Sequence, residues 1–131
     1  MRITLHAPQD LTLSDLAEEG LQISAGGEDV HFSAMEMFNT SLALCTASVL
    51  TAYAERIDAG LEGLAVRMRW EYGESPKRIG RITMDIRWPE LPENRRKAAE
   101  RAAAQCTLHH TLEMPPEVET RVAGPAGGAE V

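Results

Sequence analysis

A long helical segment most strongly limits what this chain can fold into. Ser33 and Glu36 have the spacing of a capping box, which predicts that a helix begins at Ala34. Gly60 suits the left-handed conformation that ends many helices, so we expect the helix to run to Ala59. At 1.5 Å per residue this helix is about 39 Å long, whereas a domain of this size has a radius of gyration of about 14 Å. The helix is therefore about as long as the domain.

The predicted helix is apolar on more than one face. One stripe at helical spacing contains Phe38, Leu42, Cys45, Val49 and Tyr53. A second stripe, of mostly small residues, contains Ala43, Ala47, Leu50 and Ala54. A helix with two apolar faces has to be covered on both. Because a domain of 131 residues has little material for this, we expect a homodimer to complete the cover.

The region after the helix predicts a β-hairpin with one buried face. Apolar and polar residues alternate from Leu64 to Trp70 and again from Ile82 to Trp88. The residues from Tyr72 to Pro76 between them are typical of a turn.

Shorter elements surround the helix and the hairpin. The first 32 residues predict short strands with turns, and residues 117–122 predict a final strand. A second helix is predicted from about Glu93 to Gln105 or beyond, with Ala98, Ala102 and Cys106 on one face. This order indicates an α+β fold in which helices pack on an antiparallel sheet. We expect a single domain over residues 1–123 and a flexible C-terminal tail over residues 124–131, which are rich in Gly and Ala.

Charge and hydropathy exclude several classes of partner. The formal net charge is −7 and the pI is about 5.1, which argues against nucleic acid or an anionic membrane as the main partner. No signal peptide is visible at the start, and no stretch is long enough to span a bilayer. We therefore expect a cytoplasmic protein, in which a transient disulfide is favoured over a lasting one.

Cys45 and Cys106 are the only cysteines of the chain, and each lies in a segment with a helical pattern. A thiol-based redox enzyme needs two thiols that meet in the fold, because one thiolate attacks an oxidant and the other resolves the product as a disulfide. The alternative is that both thiols fill space in the core, where free cysteine is common. The residue pattern leaves both interpretations open.

Two segments around these cysteines carry a family resemblance. Ser33 to Thr46 contains Cys45, and Cys106 to His109 is followed by Pro116 to Glu119. Together they resemble the OsmC/Ohr family, named for osmotically inducible protein C and the organic hydroperoxide resistance proteins. The resemblance covers about residues 30–122. It implies an OsmC-like α+β fold with antiparallel sheets packed around a long central helix. It also implies an intertwined homodimer whose two sites lie where the subunits meet.

The resemblance also implies a chemistry. The protein would be a cysteine-based peroxidase for organic hydroperoxides in oxidative-stress defence, with Cys45 as the peroxidatic residue and Cys106 as the resolving residue. An external thiol or dithiol would reset the pair, and no cofactor is implied. Met35 and Phe38 are expected to line an apolar pocket that favours apolar peroxides. A second hypothesis is an OsmC-fold protein without strong peroxidase activity that binds a small apolar ligand or a partner in the same cleft.

Glu36 is a third candidate site residue. Family members often carry a carboxylate at about this distance before the first cysteine, where it pairs with an arginine near the thiol. Nine helical residues turn through about 180°, so Glu36 should face away from Cys45 unless the helix bends. A capping role for Glu36 is the favoured interpretation.

The family's activating arginine has no clear counterpart. Peroxidatic members supply it from the N-terminal strand region, where this chain has only Arg2. Alternation places Arg67 and Arg69 on the polar face of the predicted hairpin. This departure from the family pattern motivates the second hypothesis.

Histidines close to Cys106 raise the question of a metal. His109 and His110 follow that cysteine, but His6 and His31 are the only other histidines and no second ligand cluster exists. Zinc sites need three or four ligands, so no metal site is predicted. We expect His109 to pack or to cap the end of the second helix.

Overall fold

The computed structural model describes residues 1–125, which form one five-stranded mixed sheet with a long helix across one face. The strands are β1 (Arg2–Ala7), β2 (Asp10–Ser14), β3 (Gln22–Ala25), β4 (Ala65–Gly73) and β5 (Arg78–Arg87), and the helices are α1 (Ala34–Ile57), α2 (Arg96–Ala103) and α3 (Thr107–Glu113). The strand order is β3-β1-β2-β4-β5. The α+β prediction is confirmed, although β3 runs parallel to β1 and makes the sheet mixed.

Helix α1 begins where the capping box predicts. The backbone N–H and the hydroxyl of Ser33 both donate to the Glu36 carboxylate, at 2.8 and 2.6 Å. The predicted end was wrong by two residues, because Asp58 takes the left-handed conformation with φ of 54°. Aspartate tolerates this region better than most residues. Gly60 instead lies against the Glu90 carboxylate, which a Cβ at this position would displace.

The main core lies between α1 and three of the strands. Ile3 faces Leu13, Leu5 faces Leu11, and Leu11 in turn faces Met68 across β2 and β4. These side chains are at most 2% exposed and pack with Leu42, Ala43 and Ala47 of α1. The alanines allow close approach of the helix to the sheet, as the small-residue stripe predicts.

The predicted hairpin is present as β4 and β5, with strands longer than the sequence pattern indicates. Its outward face is polar. Arg67 forms two hydrogen bonds with Asp10, at 2.6 and 2.9 Å, and Arg69 pairs with Asp85. The Arg67 hydrogen bonds hold the pKa of the Asp10 carboxyl below its ordinary value.

The predicted second helix is not continuous. A short 3-10 turn over Glu93–Arg95 precedes α2, and α2 ends at Ala103. Cys106 therefore does not continue the face of Ala98 and Ala102. It is extended, with φ of −71° and ψ of 146°, and acts as the N-cap of α3. The prediction that His109 caps a helix end was also wrong, because His109 lies in the first turn of α3.

The predicted final strand is absent from the described part of the chain. Residues 115–124 form no hydrogen-bonded strand, and Val118 and Val122 are more than four-fifths exposed. A strand needs a neighbour for its backbone hydrogen bonds, and none of residues 1–125 pairs with this segment. Residues 126–131, most of the predicted tail, lie outside the described residues.

Helix α1 is covered on only part of its surface within one chain. The sheet and helices α2 and α3 cover one side, whereas Met37 and Leu44 on the other side are 53% and 39% exposed. The cover by a second copy stays a prediction. Over residues 1–125, no helix is both long enough and apolar enough to cross a membrane.

Candidate thiol site

Cys45 lies in the middle of α1, at the edge of the main core. Its side chain is partly buried and packs against the cluster that contains Leu42 and Met68. The next residue, Thr46, is fully buried and points toward α3. Cys45 is therefore held on a rigid helix, between the packed core and the surface.

Cys106 is fully buried and makes two contacts through its sulfur atom. The backbone N–H of His109 donates to Sγ at 3.2 Å, as an N-cap side chain requires. The hydroxyl of Thr46 lies 3.9 Å from the same sulfur. Because Thr46 follows Cys45, this contact links the two cysteine-bearing segments.

The fold brings the two thiols together as neighbours. The pKa of the Cys106 thiol is raised first of all by burial, which disfavours a charged thiolate. The neighbouring Cys45 side chain raises this pKa further, whereas the His109 N–H and the Thr46 hydroxyl lower it. The effects that raise the pKa of Cys106 outweigh those that lower it, so Cys106 is mainly a neutral thiol at neutral pH.

The candidate residue Glu36 lies in the first turn of α1. Its Oε1 accepts from both the backbone and the hydroxyl of Ser33. These contacts are those of the favoured capping role. Nine residues of regular helix separate Glu36 from Cys45.

The basic residues considered from the sequence have carboxylate partners. Arg67 and Arg69 lie on the polar face of the hairpin, where they pair with Asp10 and Asp85. Arg2 lies 3.5 Å from Asp15. No arginine is among the groups that perturb the Cys106 thiol within the described residues.

An apolar trough lies between β5 and the helices, and neither cysteine is among its lining residues. It consists of two cavities of about 410 and 650 Å³ that share Ile82 and Leu112. The apolar side chains that line one or both cavities are Met35, Phe38, Leu42, Ile79, Ile82, Met84, Ile86 and Leu112. Met35 and Phe38 thus line an apolar pocket, as predicted.

Sequence reasoning missed the contribution of β5 and α3 to this trough. The inward alternation of Ile82, Met84 and Ile86 was visible, but alternation alone does not distinguish a sealed face from an open one. Leu112 gave no signal, because the break before α3 was not predicted.

The histidines near Cys106 make other contacts. Nε2 of His109 lies 3.0 Å from the Glu113 carboxylate, one helical turn further on. Among residues 1–125, no three His, Cys, Asp or Glu side chains are grouped as a metal site would require.

A family model described as OsmC-like protein matches residues 26–121, which include both cysteines and all of α1. The chain belongs to the OsmC-like family. A comparison with curated proteins finds no match. The resemblance noted from the two cysteine segments is therefore confirmed at the level of the family.

Two solved structures share the fold of this OsmC-like protein. One is an osmotic stress induced and detoxification response protein from Psychrobacter arcticus 273-4, with 21% identity, a TM-score of 0.58 and coverage of 66% of this chain and 64% of the other. The other is an OsmC-like hydroperoxide resistance protein from Jannaschia sp. CCS1, with 20% identity, a TM-score of 0.58 and coverage of 76% and 71%. The chain thus spans somewhat less than two-thirds of the length of the Psychrobacter protein.

Proposed function

We propose that this OsmC-like protein is a cysteine-dependent peroxidase that reduces organic hydroperoxides in oxidative-stress defence. Cys45 is the peroxidatic residue and Cys106 the resolving residue. The observation that carries the proposal is that α1 and the N-cap of α3 bring the only two thiols of the chain next to each other. The name of the Jannaschia relative, a hydroperoxide resistance protein, supports the same chemistry.

The difference in burial supports this division of roles. Cys45 is partly exposed and is therefore the more accessible of the two residues, whereas Cys106 is fully buried. In the first step the Cys45 thiolate attacks the terminal oxygen of the hydroperoxide. A sulfur–oxygen bond forms, the oxygen–oxygen bond breaks, and the alkoxide takes up a proton to leave as an alcohol. Cys45 is oxidised to a sulfenic acid.

Cys106 then resolves this intermediate. Its sulfur attacks the Cys45 sulfur, the hydroxyl group leaves with the Cys106 proton as water, and a disulfide remains. An external thiol or dithiol supplies the two electrons that return both cysteines to thiols. The raised pKa of Cys106 fits this order, because Cys106 stays a neutral thiol until the sulfenic acid has formed on Cys45.

A homodimer in the cytoplasm is part of the proposal. Met37 and Leu44 lie on the uncovered side of α1 and remain well exposed in a single chain. Burial of such residues against a second copy would remove apolar surface from water. Cys45 would then lie close to the subunit interface. A reducing compartment would keep the thiols ready for the next cycle.

Glu36 takes a structural part in this proposal. Its carboxylate is occupied by Ser33, so it stabilises the first turn of α1. A family-like role of Glu36 beside an arginine would need a different arrangement of this turn.

A second function is favoured by one specific observation. Arg2, Arg67 and Arg69, the bases with the best claim to activate Cys45, all pair with carboxylates. A peroxidatic cysteine generally depends on a neighbouring cation for its reactivity. The protein would then bind a small apolar ligand or a partner beside the cysteines and have weak peroxidase activity.

Consumption of cumene hydroperoxide by the reduced protein, with excess dithiol, separates these functions. Cys45→Ser should abolish the activity. Cys106→Ser, treated with the peroxide in the absence of dithiol, should react once and accumulate a Cys45 sulfenic acid that dimedone traps. Full activity in Cys45→Ser would contradict the peroxidase proposal. A wild-type rate no higher than that of free cysteine would favour the binding function.

A further inference from the structure

Cys106 anchors the last part of the described chain. It is the last fully buried residue, because every residue from 107 to 125 is at least partly exposed. Helix α3 therefore places no fully buried side chain in the core, and only Leu108 packs against the main cluster. A helix of seven residues is too short to be stable without tertiary support. The stability of α3 thus depends strongly on the residue that caps it.

The sulfur of Cys106 provides this support in the reduced protein. Its Sγ accepts a hydrogen bond from the backbone N–H of His109 at 3.2 Å, which satisfies one of the free N–H groups in the first turn of α3. The Thr46 hydroxyl lies 3.9 Å from the same atom and connects the cap to α1. One sulfur atom therefore both closes the first turn of α3 and docks this helix against α1.

We propose that oxidation of the cysteine pair releases α3, so that this helix is a redox-controlled lid over the thiol site. The inference rests on the proposed function, which supplies the oxidant. The two thiols give two electrons and two protons to the hydroperoxide, which becomes an alcohol and water, and a sulfur–sulfur bond forms. This bond turns the Cys106 side chain toward Cys45 and away from the His109 N–H. The first turn of α3 then loses its cap.

Release of the lid gives the reductant access to the disulfide. Cys106 is fully buried, so an external dithiol cannot reach its sulfur while α3 is in place. Of the two short helices, α2 has Ala99 and Ala103 fully packed, whereas α3 has no fully buried residue. Helix α3 is therefore the one that opens at the lower free-energy cost. Reduction returns the Cys106 sulfur to the His109 N–H, and the lid closes again.

Hydrogen exchange of the full-length protein, reduced or oxidised with diamide, tests the lid. Diamide forms the disulfide without any peroxidase activity, and mass spectrometry verifies the bond. Exchange of the amides from His110 to Met114 should rise about fivefold on oxidation, as expected for the loss of an N-cap. Exchange near Ala47 in α1 should stay unchanged. Cys45→Ser keeps the cap but cannot form the bond, so diamide should not change its α3 exchange.

Two further substitutions act on α3 directly. Cys106→Ala removes the cap, so α3 should exchange rapidly with or without diamide. Thr107→Pro should instead hold the lid closed, because proline is favoured at the first helical position and the preceding Cys106 already has the extended ψ of 146° that proline requires. Dithiothreitol should reduce the disulfide of Thr107→Pro severalfold more slowly than that of wild type. Thr107→Ser, the matched control, should be reduced at the wild-type rate.

Several results would overturn the lid. These are the absence of a disulfide after diamide, unchanged α3 exchange in the disulfide form, slow α3 exchange in Cys106→Ala, or reduction of Thr107→Pro at the wild-type rate. The proposed function fails separately. Release of α3 by diamide in a protein that does not consume cumene hydroperoxide would reject the peroxidase and leave the lid standing.

Discussion

Two parts of the same sheet face behave differently. On β1, β2 and β4 the inward side chains, such as Leu5, Leu11 and Met68, are at most 2% exposed beneath α1. On β5 the inward Ile82 and Met84 are only partly buried, and they line the trough. The alternation of apolar and polar residues is the same in both parts, so the position of the helices decides which part is core and which part is open to a ligand.

The largest expected effect comes from one matched pair of methionines. Met68 and Met84 lie directly opposite each other on β4 and β5, on the same face. Met68→Ala should lower the free energy of unfolding by about 2–5 kcal/mol, because it leaves a cavity in a closed core. Met84→Ala should cost about 1 kcal/mol, since part of its side chain is already in contact with water. Urea denaturation measures both values, and equal losses would contradict the division of the sheet.

A smaller effect is expected at the start of α1, where Met35 and Phe38 line the trough. Glu36→Ala removes the acceptor of both Ser33 hydrogen bonds and should lower the free energy of unfolding by about 1 kcal/mol. Hydrogen exchange should rise in the first turns, near Met35 and Phe38, and stay low near Ala47. Loss of peroxidase activity without loss of stability would instead place Glu36 in the catalytic machinery.

The smallest effect concerns the contact between α1 and α3 at the thiols. Thr46→Val removes the hydroxyl near Cys106 and should cost about 0.5–1 kcal/mol. The Thr46 hydroxyl lowers the Cys106 pKa, so its loss should raise that pKa further. Ultraviolet titration of the thiolate in Cys45→Ser and in the double variant measures the shift.

Thr40→Val is the matched control for this contact. Thr40 is also buried on α1, but its hydroxyl finds no hydrogen-bond partner among the described residues. Removal of an unsatisfied hydroxyl should leave the stability unchanged or raise it. Equal losses from Thr40→Val and Thr46→Val would show that the contact with the Cys106 sulfur contributes nothing specific.

Local patterns predicted the parts of the fold that depend on neighbours in sequence. The capping box at Ser33 and Glu36 located the start of α1, and the alternation on β4 and β5 located the hairpin. The break before Cys106 was missed because the Ala-rich segment from Ala98 to Ala104 favours a continuous helix. The chain leaves that helix where Cys106 is buried against Thr46, a contact between residues far apart in sequence.

The predicted final strand at residues 117–122 also shows the limit of local patterns, because here the sequence predicted an element that the described chain does not form. Its pattern suits a strand, but a strand forms only beside a partner, and the described chain provides none.

The candidate site also consists of residues that the sequence marked and residues that only the structure placed there. The sequence marked Cys45, Cys106 and the apolar residues Met35 and Phe38, whereas the position of Leu112 in the trough emerged only from the packing of β5 against α1 and α3.

The sequence by itself determined that a long helix lies on a sheet with a β-hairpin, and that both thiols belong to an OsmC-like chain, because capping, alternation and motif spacing are local properties. Only the tertiary structure decided that Cys45 is partly exposed, that Cys106 is fully buried beside it, and that β5 is left open as a trough. Burial depends on which elements cover a residue, and this is settled by contacts between segments that are distant in the chain.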